Sequence, residues 1–117
     1  MLFRSEPVAL EAGDRQPGPL LVVQREPLSV VTEAFRGLRT NILFSTAAAP
    51  PKVIVVASAG MGEGKTIISS NLATTLAESG ARVILIDADM RRASCHPHFG
   101  VSNDVGLSTF QIGRAHV

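Results

Sequence analysis

The sequence has no tryptophan and no tyrosine, and five phenylalanines are its only members of the Phe, Trp and Tyr class. No phenol within the chain can therefore take up a transferred group. A single cysteine, Cys95, excludes an internal disulfide framework and a metal cluster of the CxxC kind. An excess of one charge is also lacking: eleven Lys plus Arg against ten Asp plus Glu leave a formal +1. Nucleic acid is excluded as a partner on that ground, because its binders concentrate a basic excess on one face. Long apolar runs are missing as well. The longest, Val53-Ile54-Val55-Val56-Ala57, falls far short of the ~20 residues that span a bilayer, and Met1 to Pro7 lacks the apolar stretch of a secretory signal. What remains is 117 residues, 45% apolar and 18% charged, the size of one modest domain. Such a composition predicts a soluble, cytoplasmic protein of α/β type.

Residues 1–27 read as a flexible linker. Pro7, Pro17, Pro19 and Pro27, with Gly13 and Gly18, remove backbone donors and leave little apolar surface to bury. Within it Leu20-Leu21-Val22-Val23 has the composition of an edge strand. A helix is predicted from Ser29, a good N-cap, with Glu33 at the positive end of the helix dipole. Val31, Ala34, Phe35, Leu38 and Ile42 form one helical stripe, while Glu33, Arg36 and Arg39 project from another side. The helix fades by Thr46, where Ala47-Ala48-Ala49-Pro50-Pro51 stops it.

Lys52 to Ser58 is β-branched and apolar without alternation, which predicts a strand covered on both faces, as in a parallel sheet. A glycine-rich turn follows, then a helix from Lys65 to Ser79 with Ile68, Leu72 and Leu76 as an i+4 ridge and Gly80 beyond its end. Arg82 to Asp87 reads as a second buried strand. Strand, turn, helix and strand in this order make a right-handed βαβ unit. Beyond Asp89 a loop is predicted from Arg91 to Asp104, with a short helix from Leu107.

The turn carries the chemistry. Ala59-Gly60-Met61-Gly62-Glu63-Gly64-Lys65-Thr66 resembles a Walker A loop, with Ala59 where the pattern GxxxxGK[ST] has its first glycine. Small residues let backbone amides turn inward around a polyphosphate, and the helix N-terminus adds partial positive charge. Lys65 would reach the β and γ phosphates, and the Thr66 hydroxyl would ligate Mg²⁺. A dinucleotide fingerprint fails here, since its third glycine would fall on Lys65. Asp87 and Asp89 close the second strand, at the strand ends where open α/β folds bind ligands. Beside a magnesium nucleotide, two carboxylates would hold the metal's waters and accept a proton. Arg91 and Arg92 neutralise phosphate or the Asp pair, or form a solvated charge run. His96 and His98 lack a partner at metal-ligand spacing and read as surface histidines, and Cys95 reads as a packing residue without a base to activate it.

With these segments in order, the chain resembles the bacterial tyrosine autokinases of capsule and exopolysaccharide synthesis, the BY-kinases. Glu33 to Asn41 looks like the family's ExxRxxR helix, Gly62-Glu63-Gly64-Lys65-Thr66 like its GEGK[ST] loop, and Ile84 to Arg91 like its Walker A′ motif, φφφDxDxR. His96-Pro97-His98-Phe99-Gly100 echoes a further His-x-x-Phe-Gly pattern. The resemblance implies a P-loop NTPase-type parallel sheet with helices on both faces, truncated after the second motif strand, with the domain spanning residues 28–110. It implies an ATP- and Mg²⁺-dependent protein-tyrosine kinase, acting on a tyrosine-rich tail of a neighbouring copy and regulating polysaccharide polymerisation and export. Gly60, Met61, Gly62, Glu63, Gly64, Lys65 and Thr66 would bind the nucleotide. Thr66, Asp87 and Asp89 would serve the metal, Asp87 being the better base, with Lys65 as the catalytic cation. Glu33, Arg36 and Arg39 would meet the next subunit of a ring, in the cytoplasm at the inner face of the plasma membrane, associated with it through a membrane-embedded co-polymerase subunit or an upstream membrane segment.

The family's Walker B strand and tyrosine cluster have no counterpart in these 117 residues, so the chain alone is expected to be inactive. Residues 111–117, Gln111-Ile112-Gly113-Arg114-Ala115-His116-Val117, break the pattern after Phe110 and match a translated sequencing-library adapter, which predicts a non-native tail on a gene fragment. Two rival functions remain. A partition or cell-division ATPase of the same P-loop class carries a second lysine five residues before the main one, where this chain has Gly60. A catalytically silent nucleotide-binding scaffold of a polysaccharide export complex differs by lacking the downstream acidic strand and tyrosine cluster.

Overall fold

Among the described residues three α-helices pack on one another. The computed structural model describes residues 21–60, 64–89 and 94–101. The linker up to residue 20, the short helix expected from Leu107 and the tail 111–117 lie outside the described residues. From Leu21 the stretch expected to be linker is folded. Val22–Arg25 forms a helical turn, α1, rather than an edge strand, and Leu21 and Val23 are buried.

Helix α2, Val30–Leu43, starts at the predicted cap: the Ser29 Oγ accepts from the Thr32 N–H at 3.1 Å. The Thr32 hydroxyl donates to the Glu26 carbonyl at 2.6 Å, tying the α1–α2 turn to the first turn of the helix. The face that α2 buries matches the expected stripe only at Phe35 and Ile42. Thr32 and Phe35 are buried, Arg36, Arg39, Ile42 and Leu43 half-buried, while Val31, Ala34 and Leu38 are exposed. The stripe is thus rotated towards the arginines, and the reason lies in α3.

Helix α3, Lys65–Glu78, has little apolar segregation of its own. It buries Ser70, Asn71, Leu72, Thr74 and Thr75, whereas Ile68 of the expected ridge is exposed. These polar groups are satisfied locally. Thr74 and Thr75 donate to the carbonyls of Ser70 and Asn71 four residues back, and Asn71 Nδ2 donates to the Ile67 carbonyl. Asn71 Oδ1 then accepts the Val23 N–H at 3.2 Å and so fixes α1. A cation completes the seam: Arg39 Nη1 donates to the Thr75 carbonyl at 2.8 Å, one of the carbonyls that the end of a helix leaves without a partner. The helix ends at Ser79 and Gly80, whose φ of 90° is the left-handed turn the sequence predicts.

Asn71→Ala removes the acceptor of a buried N–H and is expected to cost about 1–3 kcal/mol, the penalty for orphaning such a donor. Denaturant unfolding read by far-UV circular dichroism measures it. A variant as stable as the wild type would show that α1 is held by Leu21 and Val23 alone.

The parallel strands are the main departure. Among the described residues, neither 53–58 nor 82–88 forms a ladder; only Ile86 takes part in an isolated β-bridge. Val53 and Ile84 are 82% and 59% exposed, far from burial on two faces. A parallel strand is buried only between neighbouring strands and beneath helices on both sides, and a two-stranded parallel pair is marginal in water. The described residues supply two such segments, and the three helices among them pack against each other.

Candidate functional site

The site forms where the start of α3 meets the loop after the second motif. Gly64 precedes α3 with φ of 81°, a left-handed conformation that a side chain would strain, and no side chain caps the helix. The first-turn N–H groups of a helix have no acceptor within the helix itself, the arrangement that suits an anion. Lys65 opens the helix, is exposed, and makes no ion pair among the described residues. Gly60 is exposed at the near end of the turn. Met61, Gly62 and Glu63, expected to complete the phosphate loop, lie outside the described residues, as do Arg91 and Arg92.

Thr66 and Asp87 are brought together through one residue, Ser94. The Thr66 and Ser94 hydroxyls are 2.6 Å apart, and the Ser94 N–H donates to Asp87 Oδ2 at 2.9 Å. The same oxygen accepts the Cys95 N–H at 3.1 Å, while Asp87 Oδ1 accepts the Asp89 N–H at 3.1 Å. Partial burial alone would raise the Asp87 pKa, but these three N–H donors outweigh it and hold the carboxyl below its ordinary value. Asp87 is thus kept ionised. Asp89 is exposed beside it.

The loop is pinned from behind. Cys95 is buried against α3, where its sulfur accepts from the Ser70 hydroxyl at 3.8 Å. Burial pushes the thiol pKa up, so Cys95 packs rather than reacts. A 3₁₀ turn, His96–Phe99, follows and ends at Gly100 with φ of 64°. His96 and His98, expected on the surface, are half-buried, and the Nδ1 of each lacks a hydrogen-bond partner. No cluster of three metal-ligating side chains occurs among the described residues.

The third group of predicted residues stands apart. Glu33 and Arg36 form an exposed i,i+3 ion pair at 3.4 Å, worth little by itself. Arg39, expected to face a partner, is occupied within the chain by the Thr75 carbonyl. Ser94 and Asn71 are the residues that sequence reasoning missed. Both are small polar residues outside any motif, and only the return of the loop and the helix seam give them a role.

Residues 54–106 match the model of the CobQ/CobB/MinD/ParA nucleotide binding domain. The segment holding Lys65, Thr66 and Asp87 is thus similar to a nucleotide-binding domain. Over a longer stretch the chain is similar to bacterial tyrosine kinases, as its three motifs led us to expect. It is 39% identical over 95 residues to Tyrosine-protein kinase YwqD of Bacillus subtilis, covering 81% of this chain and 40% of that protein. With Tyrosine-protein kinase etk of Escherichia coli K12 it shares 38% identity over 96 residues, 82% of this chain and 13% of etk. A Klebsiella pneumoniae protein of the cps region is 38% identical over 101 residues, 86% of this chain and 14% of the relative. The chain therefore spans less than half the length of each.

Proposed function

We propose that this chain is the nucleotide-binding part of a bacterial protein-tyrosine kinase, using ATP with Mg²⁺. The observation that carries the reading is the meeting of Thr66, at the mouth of the glycine turn, with Asp87, from the second acidic motif, across Ser94. A hydroxyl and an ionised carboxylate are hard oxygen donors of the kind Mg²⁺ takes, so the residues present fit the cation. Bound Mg²⁺ would neutralise charge on the phosphate oxygens. Lys65 and the first-turn amides of α3 bind and orient the phosphates. Asp87, held ionised, serves the metal's water shell together with Asp89, and by the resemblance it is the residue assigned to accept the proton of an attacking hydroxyl. In this reading the parallel sheet, with helices on both faces, is completed by strands beyond the two segments seen here.

The same reading assigns the partners. The acceptor is a tyrosine-rich tail of a neighbouring copy, the copies form a ring, and a membrane polysaccharide co-polymerase recruits them to the inner face of the plasma membrane. The activity would then regulate capsular or exopolysaccharide polymerisation and export. No helix among the described residues is long and apolar enough to cross a membrane. Glu33, Arg36 and Arg39 are the proposed ring contacts. Because Arg39 also closes the end of α3, the ring is tested with Glu33→Ala and Arg36→Ala together, sparing Arg39. Sedimentation velocity of the protein expressed from its complete reading frame should shift from ring to monomer, and an unaltered profile would return that helix face to the solvent.

The kinase reading is tested on the same protein. Incubation with magnesium ATP should yield phosphotyrosine that disappears in Lys65→Met. Nucleotide bound without any phosphotyrosine would favour the silent scaffold instead.

A further inference from the structure

We infer that Ser94 is a positioning residue of the metal site, acting through Thr66 and Asp87; the inference rests on the nucleotide and Mg²⁺ reading above. A neutral hydroxyl that ligates a cation turns a lone pair to the metal and its proton away from it. That proton then needs an acceptor, since an unpaired O–H in a half-buried site is costly. The Ser94 Oγ, 2.6 Å from Thr66 Oγ1, lies at the short end of the range for such a bond. With Thr66 as donor, the Thr66 oxygen is free to face the metal. The backbone of the same residue holds the other candidate ligand, because the Ser94 N–H fixes Asp87 Oδ2 at 2.9 Å. Ser94 therefore sets the relative placement of two oxygen donors that come from segments 21 residues apart in sequence, Thr66 and Asp87. Its own position is secured by the next residue, Cys95, whose N–H reaches the same carboxylate oxygen and whose sulfur meets Ser70 on α3.

Only the hydroxyl is removed in Ser94→Ala; the backbone bond to Asp87 stays. The variant isolates the effect on Thr66. It is tested in the 117-residue chain by titrating a fluorescent ADP analogue, with Mg²⁺ chelated and then at rising Mg²⁺. Without the cation, Ser94→Ala should bind the nucleotide as the wild type does, because Lys65 and the amides of the turn are untouched. The Mg²⁺ concentration giving half of the metal-dependent gain in affinity should rise about fivefold, the equivalent of one net hydrogen bond. Ser94→Thr, which keeps the hydroxyl, should restore the wild-type Mg²⁺ dependence. An unchanged Mg²⁺ midpoint in Ser94→Ala would overturn the proposal. So would an equal loss of binding with and without Mg²⁺, which marks a purely structural residue, or a Ser94→Thr variant as deficient as the alanine. A wild-type chain that binds the analogue under neither condition would fail earlier, at the nucleotide reading itself, and would take this proposal with it.

Discussion

Replacing Lys65 by Met is expected to abolish nucleotide binding while leaving the far-UV circular dichroism spectrum unchanged. A cation about 4 Å from a phosphate contributes about 4 kcal/mol at the effective dielectric of a protein surface, roughly a thousandfold in affinity. No other side chain in the described part of the turn carries positive charge. The fold should not notice. Lys65 is exposed, makes no ion pair among the described residues, and leaves α3 to be held by Asn71, Leu72 and Thr75. Methionine preserves the length and helix propensity of the side chain, which confines the change to charge. Isothermal titration with ATP and Mg²⁺ measures the effect. Equal affinity in the two proteins would remove the basis for placing phosphates at the start of α3.

Asp87→Ala should have the second large effect, on both stability and metal dependence. The substitution orphans the N–H groups of Ser94 and Cys95 and releases the loop that carries Ser94. The cost is expected to be about 1–2 kcal/mol, towards the low end for charged hydrogen bonds because the carboxylate is partly solvated. The metal-dependent gain in nucleotide affinity should vanish with it. The pH dependence has a definite sign. The folded pKa of Asp87 lies below its ordinary value of 3.8, so its contribution is fully present above that value. It is lost as pH falls from there through the lower folded pKa. Asp87→Asn, which cannot ionise, should flatten this acid limb in denaturant midpoints taken from pH 5 downwards. An acid limb identical to the wild type would mean that the three N–H donors do not hold the carboxylate in solution.

How much of this was readable beforehand differs from element to element. The Ser29 cap, the start of α3 at Lys65 and the left-handed Gly80 depend on residues within four positions of each other, and all were legible. The stripe of α2 was not. Period alone favoured Val31, Ala34 and Leu38, but which side a helix buries is decided by what faces it. Here the facing surface is the hydroxyl and amide seam of α3, and the Thr75 carbonyl draws Arg39 inward. The strand segments form no ladder among the described residues for a related reason: β-branched runs state a preference, and a ladder needs partners that propensity cannot supply.

The sequence by itself determined the phosphate-loop spacing from Ala59 to Thr66, the paired carboxylates Asp87 and Asp89, and the order of motifs that the similarity to bacterial tyrosine kinases reflects. These are local patterns, because an amide cradle and a helix start need only consecutive residues. Tertiary structure alone decided that Asp87 is kept ionised by the Ser94, Cys95 and Asp89 amides, that Thr66 meets Ser94, and that Arg39 closes α3. Each joins groups from different elements or from the return of a loop. A hydrogen bond needs its partners within about 3 Å, a distance set by how the chain folds back and not by the order of its residues.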